Sequence, residues 1–477
     1  MRYKEGVDKQ QLTFLPECLD DYVPEDHICR VIYAFTEQLD MADLGYKYAE
    51  CKTTGCRPYD PRMMLNLYIY GYLHRVRSSR RLRDETVRNI EVMWLMEGLR
   101  PDDKTICNFR KDNTKPLRDT FRIFAIMCRK LGLYGRELTA TDSVKFRADN
   151  SVKNNHNKTV VENELTRIGR RISEYLNMLE QEDKEDEGRK TPNSSEIRAA
   201  LEKLRQRKVK FEGLHARVLE EGEISTVDPD ARLMRFSGEG GKLDAGYNVQ
   251  TVVDDKHHLI VDFEVTNCAS DSGQLHVMSQ KAKDILEVET ITNLADSGYY
   301  SGKEIIACEG NGVTCLVAKP KPGGPKKAEG FNHGDFIYDR EKDIYICPVG
   351  NRMEYMRNKK HVSGREHRLY ANYTACVKCH RKPECTTYRY REILRLQCQD
   401  VLDIVDERTR NNKALYHRRQ EIVEHPFGTI KAAWGYGQFL CRTKAKVAAE
   451  TALAYLAYNM RRIFNIFTEN GLKLAFG

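Results

Sequence analysis

The alternation of strand patterns with helical patterns between residues 137 and 318 constrains the fold of this chain most. Alternating polar and apolar residues predict strands at 137–144, 247–253, 259–265, 290–295 and 313–318. Helical patterns follow at 274–286 and after residue 301, which gives the order strand, strand, strand, helix, strand, helix, strand. An antiparallel meander followed by strand–helix alternation predicts an α/β fold with a mixed sheet.

Further segments interrupt and follow this core. Apolar residues spaced three and four apart at 165–179 and 197–211 predict an antiparallel helical hairpin inserted at 159–222, and its function is not legible from the pattern. Prolines and glycines at 319–327 predict a linker. This linker opens a small cysteine-containing β insertion, 319–400. The core would therefore comprise 136–158 and 223–318, completed by the C-terminal helices of 401–477.

Residues 1–135 carry helical patterns throughout. Asp60-Pro61 and Pro101-Asp102 are good helix starts. Seven Arg against two acids lie between residues 62 and 88. Short consecutive helices with an arginine-rich junction favour a helix-turn-helix-like DNA-binding domain, with Arg77, Arg80 and Arg81 as candidate contacts. A plain helical bundle with a solvated basic corner is the alternative.

Composition narrows the class of protein. The 477 residues are 40% hydrophobic and 31% charged, which is typical of globular proteins and sufficient for two or three domains. No apolar run reaches the length of about 18 residues that a membrane span needs, and the N-terminus lacks the apolar core of a signal peptide. We expect a cytoplasmic protein without a membrane partner, whose 15 cysteines are reduced thiols rather than a disulfide framework.

Positive charge is concentrated rather than spread. The formal net charge is +8, and residues 408–462 alone carry eleven Lys or Arg against three Glu. Residues 180–187, in contrast, hold six acids and one Lys. Two basic patches on an otherwise balanced chain predict a polyanionic partner.

Three acids are the candidate catalytic residues. Asp142 and Asp296 each end a predicted strand, and Glu424 lies in a basic helical segment. Three carboxylates at one point would repel each other unless hard cations such as Mg²⁺ bound them. The alternative for Glu424 is a solvated charged helix. Asp254 and Asp271 compete for the same role, but a turn at Asp254 and a helix cap at Asp271 explain them.

The motifs around these acids resemble a known family. TDSVKFRADNS around Asp142, LADSGYYS around Asp296 and VEHPFGTIK around Glu424 are similar to the three catalytic blocks of DDE-class bacterial insertion-sequence transposases. Residues 58–61, 70–80 and 105–110 resemble the N-terminal part of that family, so the resemblance spans nearly the whole chain. It is closest to the insertion-sequence group called eleven-eighty-two.

The resemblance implies a ribonuclease-H-like core, and it implies that Asp142, Asp296 and Glu424 hold two Mg²⁺ or Mn²⁺ ions. The family's last block is written Tyr, two residues, Arg, three residues, Glu, six residues, Lys. Glu424 and Lys431 keep this interval, whereas the Arg position falls on Gln420 and the Tyr position on His417. Tyr416 and Arg418 or Arg419 are close substitutes. Lys431, Arg418, Arg419 and Tyr416 are therefore predicted to contact DNA.

The cysteines predict a second site. Cys376 and Cys379 form a C-x-x-C knuckle, Cys385 follows, and Cys347 could supply a fourth thiolate to a structural Zn²⁺. The alternative is a set of reduced, partly buried thiols.

The sequence thus predicts a transposase that binds the ends of its mobile element and cleaves and joins double-stranded DNA. The resemblance implies a homodimer in the synaptic complex and a bacterial, nucleoid-associated location. The rivals are a non-catalytic DNA-binding protein derived from a transposase, and a metal-dependent nuclease or resolvase on the same fold.

Overall fold

The computed structural model describes residues 18–50, 57–185, 193–236, 240–320, 330–360 and 366–469. The chain forms two compact units: the first comprises 1–135, 143–270 and 423–477, and the second 136–142 and 271–422. The predicted linker at 319–327 lies almost wholly outside the described residues, as does part of the acidic run at 180–187.

The described residues form fifteen α-helices. In chain order these are α1 (Ile28–Glu37), α2 (Pro61–Leu73), α3 (Ser79–Arg88), α4 (Ile90–Leu95), α5 (Asp103–Asp112), α6 (Thr114–Lys130), α7 (Lys158–Glu185), α8 (Asn193–Glu221), α9 (Leu275–Leu286), α10 (Gly302–Gly310), α11 (Tyr373–Val377), α12 (Lys382–Cys385), α13 (Gln399–Asn411), α14 (Lys413–Phe427) and α15 (Lys444–Glu469).

The same residues form thirteen strands. These are β1 (Leu138–Arg147), β2 (Asn155–His156), β3 (Ile224–Ser225), β4 (Arg232–Phe236), β5 (Lys242–Asp254), β6 (Ile260–Thr266), β7 (Ile291–Ala295), β8 (Val313–Val317), β9 (Ile337–Asp339), β10 (Ile344–Ile346), β11 (Arg352–Lys360), β12 (Glu366–Ala371) and β13 (Glu392–Leu396). The predicted alternation of strands and helices between 137 and 318 is confirmed.

Local chemistry explains where the N-terminal helices begin. The Asp60 side chain accepts a hydrogen bond from the Arg62 amide, and Pro61 occupies the first helical position, where its missing N–H is not needed. Asp102 accepts likewise from the Thr105 amide at the start of α5. Both predicted helix starts are confirmed.

Helix α15 organises the core of the first unit. It packs against α2, α6 and β6. The buried Tyr455 ring lies edge-on to Phe121 and Phe263, and the Asn459 side chain exchanges two hydrogen bonds with the backbone of Ile260. One amphipathic helix therefore joins the N-terminal helices to the antiparallel strands.

Strand β5 is the central strand of the first unit. β4 and β6 pair antiparallel with its first and second halves, and β1 lies along its other edge. Asp254, at the end of β5, is buried and accepts from the amides of Gly135 and Lys256, which agrees with its predicted turn-forming role.

The second unit contains parallel and antiparallel strands. β1 pairs with β7 and β7 with β8, all parallel, so the core pairing is mixed as predicted. A separate antiparallel sheet has the strand order β13-β12-β11-β10-β9. Its hydrophobic core consists of Phe336, Tyr345, Met353, Tyr370 and Ile393.

The predicted end of the first strand is wrong. The sequence pattern places Asp142 at the strand end, but β1 continues to Arg147. The strand extends because the backbone of Arg147 is hydrogen-bonded on either side of Gln438. The Arg147 amide donates to the Gly437 carbonyl, and the Arg147 carbonyl accepts from the Phe439 amide. Only the ladder with β7 stops before Asp142.

Among the residues that the structure describes, no helix combines the length and apolar character needed to cross a membrane.

A buried ion pair ties the arginine-rich junction to the C-terminal segment within the first unit. Glu450 is 1% exposed and accepts from the amides of Leu440 and Cys441. The Arg77 guanidinium lies 3.4 Å from the Glu450 carboxylate and stacks on the Tyr436 ring at 4.3 Å. Glu450 thus accepts hydrogen bonds from two loop amides and neutralises the charge of Arg77.

We predict that Glu450→Ala destabilises the protein by about 3–5 kcal/mol, because Arg77 would be left without its partner in a poorly solvated site. Urea unfolding followed by circular dichroism measures this effect. The matched control is Glu220→Ala at an exposed helical position, which should change stability by less than about 0.5 kcal/mol. An equal response of the two variants would contradict the structural role of Glu450.

Candidate active site

Two parallel strands bring Asp142 and Asp296 side by side in the second unit. β1 and β7 pair from Leu138↔Thr292 to Thr141↔Ala295. Asp142 and Asp296 each directly follow the last paired residue of their chain segment. Adjacent strands lie about 4.8 Å apart. Both aspartates are partly exposed. The register therefore places two carboxylates at one accessible edge.

A buried asparagine on β7 stabilises this register. Asn293 is fully buried on β7, and its Nδ2 donates to Thr141 Oγ1 at 2.9 Å and to Ser279 Oγ at 2.6 Å. Thr139 Oγ1 donates to the Asn293 Oδ1 at 3.4 Å. Because unsatisfied buried polar groups are costly, these bonds favour one alignment of β1, β7 and α9.

A glycine beside Asp296 opens space between two carboxylates. Asp296 accepts from the Gly298 amide at 2.8 Å and caps a short 3₁₀ turn, Ser297–Tyr299. A Cβ placed on Gly298 would lie 3.0 Å from Asp296 Oδ1 and 3.5 Å from Asp271 Oδ2. Asp271 therefore faces the same glycine as Asp296.

This position corrects the prediction that Asp271 caps a helix. α9 begins at Leu275 with Gln274 as its N-cap, and Asp271 takes part through its backbone carbonyl, which accepts from the Gln274 amide. Gly273, with φ of +90°, turns the chain between Asp271 and the helix.

Helix α14 contributes a cation to the aspartate pair. Arg419 Nη1 donates to Asp142 Oδ2 at 2.8 Å, and both side chains are mostly buried, at 14% and 23% exposure. Burial raises the pKa of Tyr416. The charge of Arg419 lowers this pKa, and the charge of Asp296 raises it. Tyr416 and Arg419, three residues apart, thus face the aspartates, whereas Arg418 is exposed.

Glu424 lies five residues after Arg419 on the same continuous helix. It is exposed, and it makes no hydrogen bond or ion pair with any residue that the structure describes. Pro426 interrupts the α-helical hydrogen bonding two residues later, and Gly428–Ala433 continues as a π-helix. Single-turn π segments occur frequently at functional sites.

The residues flanking Glu424 are held within the first unit. Lys431 Nζ, on the π-helix, donates to the Lys145 carbonyl at 3.1 Å while its side chain stays exposed. His425 Nδ1 lies 2.7 Å from the Tyr458 hydroxyl, and burial lowers its pKa, with contributions from Arg462 and His258.

The N-terminal DNA-contact candidates separate into two kinds. Arg80 and Arg81 are exposed, with 82% of the Arg80 side chain accessible. The Arg77 guanidinium is engaged by Glu450 and Tyr436, and only 17% of its side chain is accessible. Arg77 therefore has a structural role that its place in an arginine-rich run did not reveal.

The four predicted zinc-ligand cysteines line one small cavity in the second unit. Cys347 follows β10 in a tight turn, Cys376 and Cys379 bracket the end of α11, and Cys385 ends α12. All four are free thiols of intermediate burial. Burial raises the pKa of Cys385, and the neighbouring thiols add to this effect.

One group within the described part of the chain has three metal-binding side chains with all ligand atoms within 4.8 Å: His27, Cys29 and Glu91. No three sulfur atoms of the cysteine set lie that close together. The His27 group does not follow from the sequence pattern, because Glu91 lies more than sixty residues from His27.

Two accessible aspartates on neighbouring strands, with an arginine from a nearby helix, suit an enzyme that uses divalent ions on phosphodiesters. Comparison with known families supports this class. A model described as Transposase DDE domain matches residues 221–460, just over half of the chain, and one described as Transposase domain (DUF772) matches residues 17–112. Neither a curated protein nor a solved structure matches.

The chain belongs to the transposase DDE domain family. It is a DDE-class insertion-sequence transposase, an enzyme of DNA transposition that binds and cleaves DNA and transfers its strands. Membership also implies a ribonuclease-H-like core and the use of divalent metal ions. Asp296 and Glu424 lie inside the matched segment, and Asp142 lies between the two matches. The group eleven-eighty-two stays a prediction.

We predict that Gly298→Ala lowers metal-dependent DNA cleavage by about 10-fold or more, because the new methyl group would press on the Asp296 carboxylate. Cleavage of a labelled duplex measures this, with circular dichroism to verify folding. The control is Gly310→Ala, where a Cβ would meet no atom within 4 Å. Full activity of Gly298→Ala would show that the Asp296 position is not critical.

Proposed function

We propose that Asp142, Asp296 and Glu424 together bind two Mg²⁺ or Mn²⁺ ions and catalyse cleavage and strand transfer at the ends of a mobile element. The parallel register that sets Asp142 beside Asp296 carries this proposal. Glu424 is included because Tyr416 and Arg419 bring its helix to the aspartates. Tyr416 and Glu424 are eight residues apart, so their side chains leave the helix within about 80° of each other.

The residues fit such ions chemically. Carboxylate oxygens are the ligands that Mg²⁺ prefers, and the space beside Gly298 between two carboxylates would be filled by a single Cβ. The Arg419 guanidinium supplies positive charge to Asp142 at hydrogen-bond distance, in the manner that a bound cation would.

When bound, the ions would activate the attacking oxygen and stabilise the leaving oxygen of an in-line displacement. Water attacks the phosphorus at the end of the element, the bond to the 3′-oxygen breaks, and a 3′-hydroxyl is freed. That hydroxyl then attacks a target phosphodiester, joins the element to the target and releases a target 3′-hydroxyl. Arg419, Arg418, Tyr416 and Lys431 would hold phosphates and keep the reacting strand in line.

We further propose a function or structural role for each segment of the chain. Residues 1–135 would bind the terminal repeats, with Arg80 and Arg81 on the DNA. Residues 136–158, 223–318 and 401–477 would form the ribonuclease-H-like catalytic core. Residues 159–222 would be a helical insertion, and 319–400 a cysteine-containing one. Two element ends must be handled together, so the active species would be a homodimer at the nucleoid in the cytoplasm.

We predict that Asp142→Asn, Asp296→Asn and Glu424→Gln each lower cleavage and strand transfer by at least about 1,000-fold and leave DNA binding within about 3-fold. Each change removes a metal-binding charge and keeps the side-chain shape. Labelled element ends, Mg²⁺ and a target plasmid supply the assay. The control, Glu421→Gln, alters an exposed acid on the same helix. An active Asp142, Asp296 or Glu424 variant would remove that residue from the site.

For the second metal, we propose one structural Zn²⁺ held by Cys347, Cys376, Cys379 and Cys385. Thiolates from two tight turns and a short helix suit tetrahedral zinc, and all four line one cavity. The ion would tie the small antiparallel sheet to α11 and α12, where few apolar side chains are fully buried.

We predict that the purified protein contains about one zinc per chain, and that Cys379→Ser lowers this content and the thermal stability together. Elemental analysis after dialysis measures the first quantity and a melting curve the second. Cys18→Ser, at an exposed thiol outside the cavity, should change neither. A zinc-free wild-type protein would leave these cysteines as ordinary thiols.

A further inference from the structure

The inserted hairpin is rooted firmly in the first unit. β2 and β3 pair antiparallel at its base, Asn155↔Ser225 and His156↔Ile224. Asn150 donates to the side chains of Asn155 and Ser225 beside them. A small hydrophobic core of Val161, Leu214, Val218 and Ile224 fills the base between α7 and α8. The base of the hairpin is therefore fixed by strand pairing and apolar packing.

Beyond this base, α8 carries an unusual concentration of positive charge. Between residues 198 and 210 it has six basic residues and one acid, Glu202. All six basic side chains are exposed: Arg198, Lys203, Arg205, Arg207, Lys208 and Lys210. Like charges three and four residues apart destabilise a helix, so this pattern does not serve the stability of α8.

Most of these charges have no counter-ion among the residues that the structure describes. Arg207 pairs with Glu164 at 2.7 Å and Lys208 with Glu212 at 3.8 Å. Arg198, Lys203, Arg205 and Lys210 make no ion pair with any residue in the described ranges. Within the described ranges, about four positive charges of this surface therefore remain for a ligand to neutralise.

The basic residues lie on two flanks of α8. The partly buried Leu204 and Phe211 lie at the centre of the face that packs against α7, and the buried Leu201 and Leu214 lie at its two edges. At 100° per residue, Lys203, Arg207 and Lys210 lie on one flank, and Arg198, Arg205 and Lys208 on the other. Gln206 and Val209 occupy the outward ridge between the flanks, and Val209 is 68% exposed.

We propose that this part of α8 binds duplex DNA in the major groove, with each basic flank against one row of phosphates. A groove about 12 Å wide admits an α-helix, and the roughly 18 Å between Arg198 and Lys210 would follow about five base pairs. DNA as the ligand rests on the function proposed above. This surface is separate from the residues proposed there for catalysis and end binding.

Two double variants test the two flanks in the full-length protein: Lys203→Gln with Lys210→Gln, and Arg198→Gln with Arg205→Gln. Glutamine keeps the helix and removes charge. A fluorescent 30-base-pair duplex is titrated by anisotropy over a series of salt concentrations. Each double variant should lower the slope of log affinity against log salt by about 2, because each phosphate that is no longer neutralised reduces the slope by about 0.9.

The matched control is Lys303→Gln with Lys360→Gln, which removes the same charge from exposed positions on α10 and β11. Its slope should equal that of the wild type. If either flank variant behaves like this control, helix α8 does not lie between two phosphate rows and the inference fails. It fails equally if the flank variants change the oligomeric state in light scattering and leave DNA affinity unchanged, because the surface would then bind a second copy.

Cleavage assays separate this inference from the proposed active site. At saturating protein, the flank variants should still cleave with Mg²⁺, whereas Asp142→Asn should not. If the flank variants bind DNA normally and Asp142→Asn is inactive, the proposed DNA contact of α8 is wrong and the proposed active site stands.

Discussion

The parallel pairing of β1 with β7 is the constraint on which the candidate site depends. Its register makes Asp142 and Asp296 the next residues of two adjacent strands, although 153 residues separate them in the chain. A slip of one residue would turn one aspartate to the opposite face of the sheet. Asn293 opposes such a slip, because its buried amide is satisfied only when it lies beside Thr141 and Ser279.

Charge balance explains the surroundings of this pair. Two carboxylates on neighbouring strands repel each other, and the second unit offers Arg419 to Asp142. The other aspartate, Asp296, has a backbone amide as its hydrogen-bond partner and a second acid, Asp271, across Gly298.

Much of the fold could be predicted from the sequence, and part of the site could not. Strand and helix patterns, and starts such as Asp60-Pro61, depend on residues within a few positions of each other. The end of β1 did not follow from its pattern, because Arg147 is paired through a backbone segment almost 300 residues away. Asp271 looked like a helix cap because only its distance from the helix is visible in sequence, whereas the turn at Gly273 decides where its side chain points.

By itself, the sequence determined the class of the protein: the order of strands and helices, the three acidic blocks with their family resemblance, and the basic composition expected of a DNA enzyme. Only the tertiary structure decided that Arg419 rather than Arg418 meets Asp142, that Arg77 pairs with Glu450 inside the first unit, and that Asn293 locks the strand register. The physical reason is the distance along the chain over which each kind of interaction acts. Local patterns follow from backbone geometry and solvent exposure over one or two turns, whereas partners hundreds of residues apart are chosen by strand register and close packing of the folded chain.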